Sequence, residues 1–254
     1  MTNSETPTQD IYDDFYFQHA CGGHQEFNLT LGEELAPWLN YIMKISNLRS
    51  SDNVLDLGTG RGEIAYQSST RGSQVIGLDY ALAALDLAKL LKEKSEKKNR
   101  PFSLILSDAR KLPFKENSFD VIFMLDIVEH LAQDDLLSVF RQVHKTLRPN
   151  GRLIIHTMPN LNYYKYGYPL YRFGMRAFGR KLPKDARDRF YHGKVHVNIQ
   201  SPKSLRDNLR TSGFQKINVK LTQLSGPFAK RLLCSIIPLK YIIANDIIAI
   251  AEKI

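Results

Sequence analysis

The segment Val54-Leu-Asp-Leu-Gly-Thr-Gly-Arg-Gly-Glu63 constrains the fold more than any other part of the chain. Apolar residues interleaved with Asp56 read as a short buried strand. Gly58, Gly60 and Gly62 then turn it into a helix expected over Ile64–Ser69. Glycine suits that turn because the backbone must adopt dihedrals closed to other residues and let a ligand approach the bare peptide. A dinucleotide fingerprint would carry its third glycine one position later, where Glu63 stands.

The rest of an open α/β pattern follows in order. Gln74–Asp79 reads as a second strand ending in a carboxylate, seventeen residues past Gly62. Phe102–Leu106 makes a third strand, followed by Asp108, and Phe119–Leu125 a fourth, followed by Asp126-Ile-Val-Glu-His130. Leu147–Gly151 reads as a turn before a fifth strand, Arg152–His156. Ile217–Leu221 and Ile247–Glu252 complete seven. Amphipathic helices are expected over 31–48 (bent or divided by Pro37), 81–98 and 136–147.

The spacing D-x-G-x-G-x-G, with an acid on the strand itself, resembles the first motif of class I S-adenosylmethionine (SAM)-dependent methyltransferases. The resemblance covers roughly residues 50–220 and is carried also by Asp108–Phe114, Asn117–Asp120, Val128–Leu131 and Ser201–Leu205. It is nearest to the group that includes ubiquinone-biosynthesis O-methyltransferases. It implies a Rossmann-like seven-stranded α/β sheet, mostly parallel, with the last strand antiparallel between the fifth and sixth. It also implies SAM as cofactor, held by Asp56, Gly58, Thr59, Gly60, Gly62, Asp79, Tyr80, Asp108, Ala109 and Leu125. Asp79 would take the ribose hydroxyls, and Asp108 the adenine amine.

The domain plan is an N-terminal lead and helix (1–48) over the acceptor site, then a methyltransferase domain (49–254). That domain carries a basic, tyrosine-rich insertion at 160–198 and an apolar one at 222–245. Between Asn160 and Lys194 lie nine Lys or Arg and six tyrosines, much of the surplus behind the net charge of +9. The insertion suits either an anion-binding lid or a solvated helix packing its rings inward. The stretch 226–243 suits a helix on the sheet or an interfacial membrane contact. No apolar run reaches the roughly eighteen residues of a membrane span. Met1–Asp10 lacks a signal-peptide core, so a cytoplasmic location, with peripheral membrane contact as the alternative, is expected. Two cysteines make neither a disulfide framework nor a metal cluster.

A hydroxyl acceptor benefits from a base, and His130 and His196 are the first candidates among five histidines that include His19, His24 and His156. Tyr16, His19, Tyr163 and Arg172 are expected to contact the acceptor. Asp126, Glu129 and His130 at i, i+3 and i+4, with His196, resemble a metal set of some relatives that would suit Mg²⁺ or Mn²⁺. Equally, Asp126 can cap a helix and Glu129 can pair with a lysine. The expected activity is methyl transfer to a hydroxyl of a small, sugar or lipid-linked, anionic acceptor. RNA methylation and a non-catalytic SAM-binding role are the alternatives.

Overall fold

The computed structural model describes residues 5–189, 195–224, 234 and 237–254. Parts of the expected basic and apolar insertions, 190–194, 225–233 and 235–236, lie outside them. Seven strands form one sheet in the order β3-β2-β1-β4-β5-β7-β6. They are β1 Asn53–Leu57, β2 Gln74–Asp79, β3 Ser103–Leu106, β4 Phe119–Leu125, β5 Leu147–Thr157, β6 Lys216–Thr222 and β7 Asp246–Glu252. Strands β1 to β5 pair in parallel, and β7 runs antiparallel between β5 and β6. The order reverses between β1 and β4, which opens a crevice at the carboxyl ends of the strands.

Both faces of the central strands are covered, so they carry continuous apolar runs rather than an alternation. On β4, Ile122 and Met124 pack with helix α5 (Gln133–Thr146) and α7 (Pro202–Thr211). Val121 and Phe123 face α2 (Pro37–Ile45), α3 (Glu63–Thr70) and α4 (Leu82–Lys97). The expected helix over 31–48 is shorter because Pro37 is its first residue, where a missing N–H and a fixed φ cost nothing. A separate helix, α1 (His24–Thr30), precedes it.

The expected turn at Leu147–Gly151 is instead the bulged start of β5. Phe119 pairs with Leu147 and Val121 with Arg152, and the surplus residues are absorbed with Asn150 at φ 63°. The first part of the tyrosine-rich insertion is helical: a π-turn at Tyr163–Gly167 leads into α6 (Tyr168–Ala177). A last helix, α8 (Ile237–Ile243), precedes β7. None of the described helices is long and apolar enough to cross a membrane.

Candidate active site

A cavity of about 630 Å³ sits at the carboxyl end of the sheet, over the switch point. Its floor is the turn after β1. The Gly58 and Thr59 N–H groups both donate to the Leu78 carbonyl, at 2.8 and 2.9 Å. The Thr59 hydroxyl donates to Asp56 at 2.6 Å, and burial lifts the Asp56 carboxyl to about 7. Asp79 accepts the Gly60 N–H on one oxygen and the Ala81 N–H on the other, each at 2.9 Å. Burial pushes Asp79 upward as well. A Cβ on Gly58, already at φ 75°, would collide with the Ile127 side chain, so the turn admits only glycine there.

Asp56, Gly58, Thr59, Gly60, Asp79, Tyr80, Asp108, Ala109 and Leu125 all line the cavity. Gly62 does not. It sits at φ 85° against Ala88 of α4, where a Cβ would come within 3.0 Å, so its place is in closing α3 onto α4. Asp108 is gripped by the Arg110 guanidinium through Nε and Nη2 at 2.9 and 2.6 Å. Although partial burial opposes it, Arg110 holds the carboxyl below its ordinary value.

The N-terminal lead forms the roof, with Tyr12, Phe15, Tyr16, Phe17 and His19 facing the cavity beside Trp38 of α2. Arg61, between two glycines of the floor, fixes this roof. Its guanidinium donates to the Phe17 and Gly22 carbonyls at 2.8 Å each and to Glu63 at 2.9 Å, while being only 2% exposed. A lone Arg in a glycine turn reads as solvated in one sequence, and no signal there revealed the latch. Removing it leaves Glu63 buried without its counter-charge, a change that costs roughly 3–5 kcal/mol. Arg61→Ala should therefore lower the urea midpoint and speed hydrogen exchange over residues 12–30. Unchanged exchange there would rule out the latch.

The far wall carries the titratable groups. The Tyr12 hydroxyl and His130 Nδ1 are hydrogen-bonded at 2.8 Å, and the His196 ring packs edge-on against His130 at 4.8 Å. Glu129 accepts the Thr157 hydroxyl at 2.7 Å. Its carboxyl is pushed up to about 8, by burial first and then by the Asp126 charge. Asp126 turns away from this group, because its φ of 54° breaks the expected helical turn and Val128–His130 is a 3-10 turn. It pairs with His156 Nδ1 at 2.5 Å instead.

The proposed four-ligand metal set is thus corrected. Glu129, His130 and His196 offer atoms within 4.8 Å of one another, without Asp126. Two imidazoles and one carboxylate do not fit Mg²⁺, which demands an octahedron of oxygens. Adding Mg²⁺ to the EDTA-treated protein should leave the expected methyl transfer unchanged, and a gain in rate would reinstate the ion.

Two expected acceptor contacts are also corrected. Tyr163 packs its ring against Tyr164 and Tyr168, and Arg172 sits half-buried on α6; neither reaches the cavity. The π-turn rotates Tyr164 into the wall in place of Tyr163.

Residues 55–155 match the "Methyltransferase domain" family. The demethylmenaquinone methyltransferase of Staphylococcus saprophyticus is 24% identical over 236 residues, covering 90% of this chain and 97% of its own. The ubiquinone/menaquinone biosynthesis C-methyltransferase UbiE of Desulfotalea psychrophila is 27% identical over 198 residues, 76% of this chain and 77% of its own. A solved Pyrococcus horikoshii protein superposes with a TM-score of 0.60 at 18% identity, covering 94% of this chain and 96% of that one. So does a Haemonchus contortus phosphoethanolamine N-methyltransferase solved with S-adenosylhomocysteine, at TM-score 0.58 and 18% identity. This chain aligns over 85% of its length with about half (52%) of that protein. Sheet order, glycine turn and relatives converge, and the chain is a class I SAM-dependent methyltransferase.

Proposed function

We propose that this methyltransferase acts on a hydroxylated ring compound of the quinol class that carries an apolar tail, and that the methyl group goes to a ring carbon activated by the hydroxyl. The observation that carries this reading is the acceptor end of the cavity. There the rings of Tyr12, Phe15, Tyr16, Phe17 and Trp38 enclose a space bordered by Asp126, His130 and His196. Flat aromatic walls favour a flat apolar acceptor, and the polar groups give its hydroxyl a partner. The names of the curated relatives, demethylmenaquinone methyltransferase and a quinone C-methyltransferase, support carbon over the hydroxyl oxygen as the point of transfer.

In this reading SAM lies across Gly58–Gly60, with its ribose against Asp79 and its adenine toward Asp108 and Ala109. The sulfonium methyl then points along the carboxyl ends of β4 and β5, and alignment with the acceptor lowers much of the barrier. Tyr16, His19, His130 and His196 hold the acceptor. A tailed acceptor also gives α6 a role. Leu170, Phe173 and Phe178 are 65, 79 and 83% exposed beside Arg172, Arg176 and Arg180, a pattern suited to the face of an anionic membrane.

Purified enzyme with methyl-labelled SAM, offered an alkylated naphthohydroquinone, RNA, sugar nucleotides and fractionated cell extract, tests the assignment. Label in the ring of the hydroquinone is expected. Label confined to RNA would replace this reading with RNA methylation, and SAM binding without turnover in any fraction would favour the non-catalytic alternative.

A further inference from the structure

At the inner wall of the cavity, three side chains from different strand ends stand in a row. Asp126 follows β4, His156 lies near the end of β5, and Asp246 opens β7. His156 Nδ1 meets Asp126 Oδ1 at 2.5 Å, and its Nε2 faces Asp246 Oδ1 at 3.4 Å. The side chains of His156 and Asp246 are 2 and 3% exposed, whereas that of Asp126 is 27% exposed and borders the cavity. Trp38 stacks on the His156 ring at 4.6 Å and 30°, which keeps water from the pair. The row is therefore wet at one end only, the end that meets the acceptor.

Three observations indicate that this end is built for use. Asp126 adopts φ 54°, a left-handed conformation that costs a non-glycine residue on the order of 1–3 kcal/mol and tends to persist at functional sites. The backbone is held there because the Asp126 N–H donates to the His156 carbonyl at 2.9 Å. Next, His156 occupies only Oδ1, and Oδ2 has no hydrogen-bond donor among the described residues. Oδ2 lies toward Gly22 of the roof, beneath which the acceptor would sit. Finally, the rival candidates are already engaged: His130 Nδ1 by Tyr12, and Glu129 by Thr157.

We propose that Asp126 is the catalytic residue that receives the acceptor's hydroxyl proton as the methyl group is transferred, and that His156 and Asp246 are positioning residues that aim its carboxylate into the cavity. The inference rests on the hydroxylated acceptor proposed above. In the step, the acceptor O–H bond breaks and its proton passes to Asp126 Oδ2. The released electron density drives the ring carbon onto the SAM methyl carbon. The carbon–sulfur bond breaks with its electron pair left on sulfur, giving neutral S-adenosylhomocysteine. The ring carbon then loses its hydrogen as a proton to water while Asp126 returns a proton to the oxygen, so one proton is released per turnover. His156, charged and flanked by both acids, keeps Asp126 from rotating toward Glu129 and supplies the opposite charge that this half-buried carboxylate needs.

The test compares the wild-type chain with Asp126→Asn, His156→Gln and Asp246→Asn, using SAM and an alkylated naphthohydroquinone. Asparagine keeps the size of Asp126 and tolerates its left-handed backbone. Asp126→Asn should lower kcat by about 100-fold or more, the usual worth of a proton acceptor. Its KM and its affinity for S-adenosylhomocysteine should stay near the wild-type values. His156→Gln and Asp246→Asn should give smaller losses, also in kcat. An Asp126→Asn enzyme with wild-type kcat overturns the proposal while leaving the acceptor assignment standing. If the wild-type enzyme does not methylate the hydroquinone, the acceptor assignment fails, and binding then decides the role of Asp126. With S-adenosylhomocysteine present, the wild type should bind 1-naphthol roughly tenfold more tightly than 1-methoxynaphthalene, the worth of one hydrogen bond to a charged group. Asp126→Asn should show no such preference. No preference in the wild type, or the same preference in both, overturns the proposal.

Discussion

Asp79→Ala is expected to abolish SAM binding in a protein that still folds. The loss has two sources that act together. One is the ribose contact assigned to the carboxylate, whose removal leaves two sugar hydroxyls without their acceptor. The other is the shape of the floor, because the same carboxylate receives the Gly60 and Ala81 N–H groups at 2.9 Å each. Losing hydrogen bonds to a charged acceptor costs about 1.5–3 kcal/mol apiece, so a fall in affinity of at least about 100-fold follows. Asp79→Asn should recover part of it, since the amide oxygen can still accept one N–H. Titration calorimetry with SAM reads both variants. Wild-type affinity in Asp79→Ala would remove the floor of the cavity from the donor site. Gly60→Val should also weaken binding, but less than a side chain at Gly58. At Gly60 a Cβ meets only the Phe17 ring at 3.8 Å, whereas at Gly58 it meets Ile127 head-on.

The second large effect is on stability against pH. His156 carries a pKa raised from 6.5 to about 10: burial pulls it down, and Asp126 and Asp246 more than reverse that. A group raised on folding stabilises the native state fully below its unfolded value and loses that contribution as pH climbs through the folded value. The window is therefore about 6.5 to 10. Asp56 and Glu129 act in the same direction by the opposite route. Burial raises them from 3.8 to about 7 and from 4.5 to about 8, so their ionisation destabilises the fold increasingly as pH rises through those ranges. All three make the native state weaker in alkali, by an amount on the order of a few kcal/mol. Thermal midpoints should fall steadily from pH 6 to pH 10. His156→Gln should be less stable at pH 6, because Asp126 and Asp246 are left facing each other, and its midpoint should vary less over the same range. A wild-type midpoint that rises with pH would contradict the assigned charge on His156.

Much of this arrangement was legible in the residues. Strands β2 and β4 run over the expected bounds, Gln74–Asp79 and Phe119–Leu125, because each is built on a largely buried apolar stretch, Val75–Leu78 and Val121–Met124. Asp79 stands at the tip of β2 because a strand end at the switch point is where a carboxylate can reach a ligand. The reading failed where a local pattern competed with a tertiary contact. Asp126, Glu129 and His130 carry helical spacing, yet His156 draws Asp126 into a left-handed conformation and divides the set. Tyr163 and Arg172 were plausible from composition, but a π-turn shifts the facing residue by one, to Tyr164. The run Pro149-Asn150-Gly151 has turn chemistry, and that chemistry is spent on a bulge near the start of β5. Arg61 and Asp246 escaped notice because their partners lie 39 to 44 and 90 residues away, and one sequence does not reveal such pairings.

The central claim is that donor and acceptor share one cavity, floored by the glycine turn and roofed by the N-terminal lead. A crystal structure with S-adenosylhomocysteine and an alkylated naphthohydroquinone tests it directly. The adenosyl group is expected across Gly58–Gly60, Asp79 and Asp108, with the aromatic ring beneath Tyr16 and its hydroxyl on Asp126. An acceptor bound outside the roof, on the exposed face of α6, would contradict it.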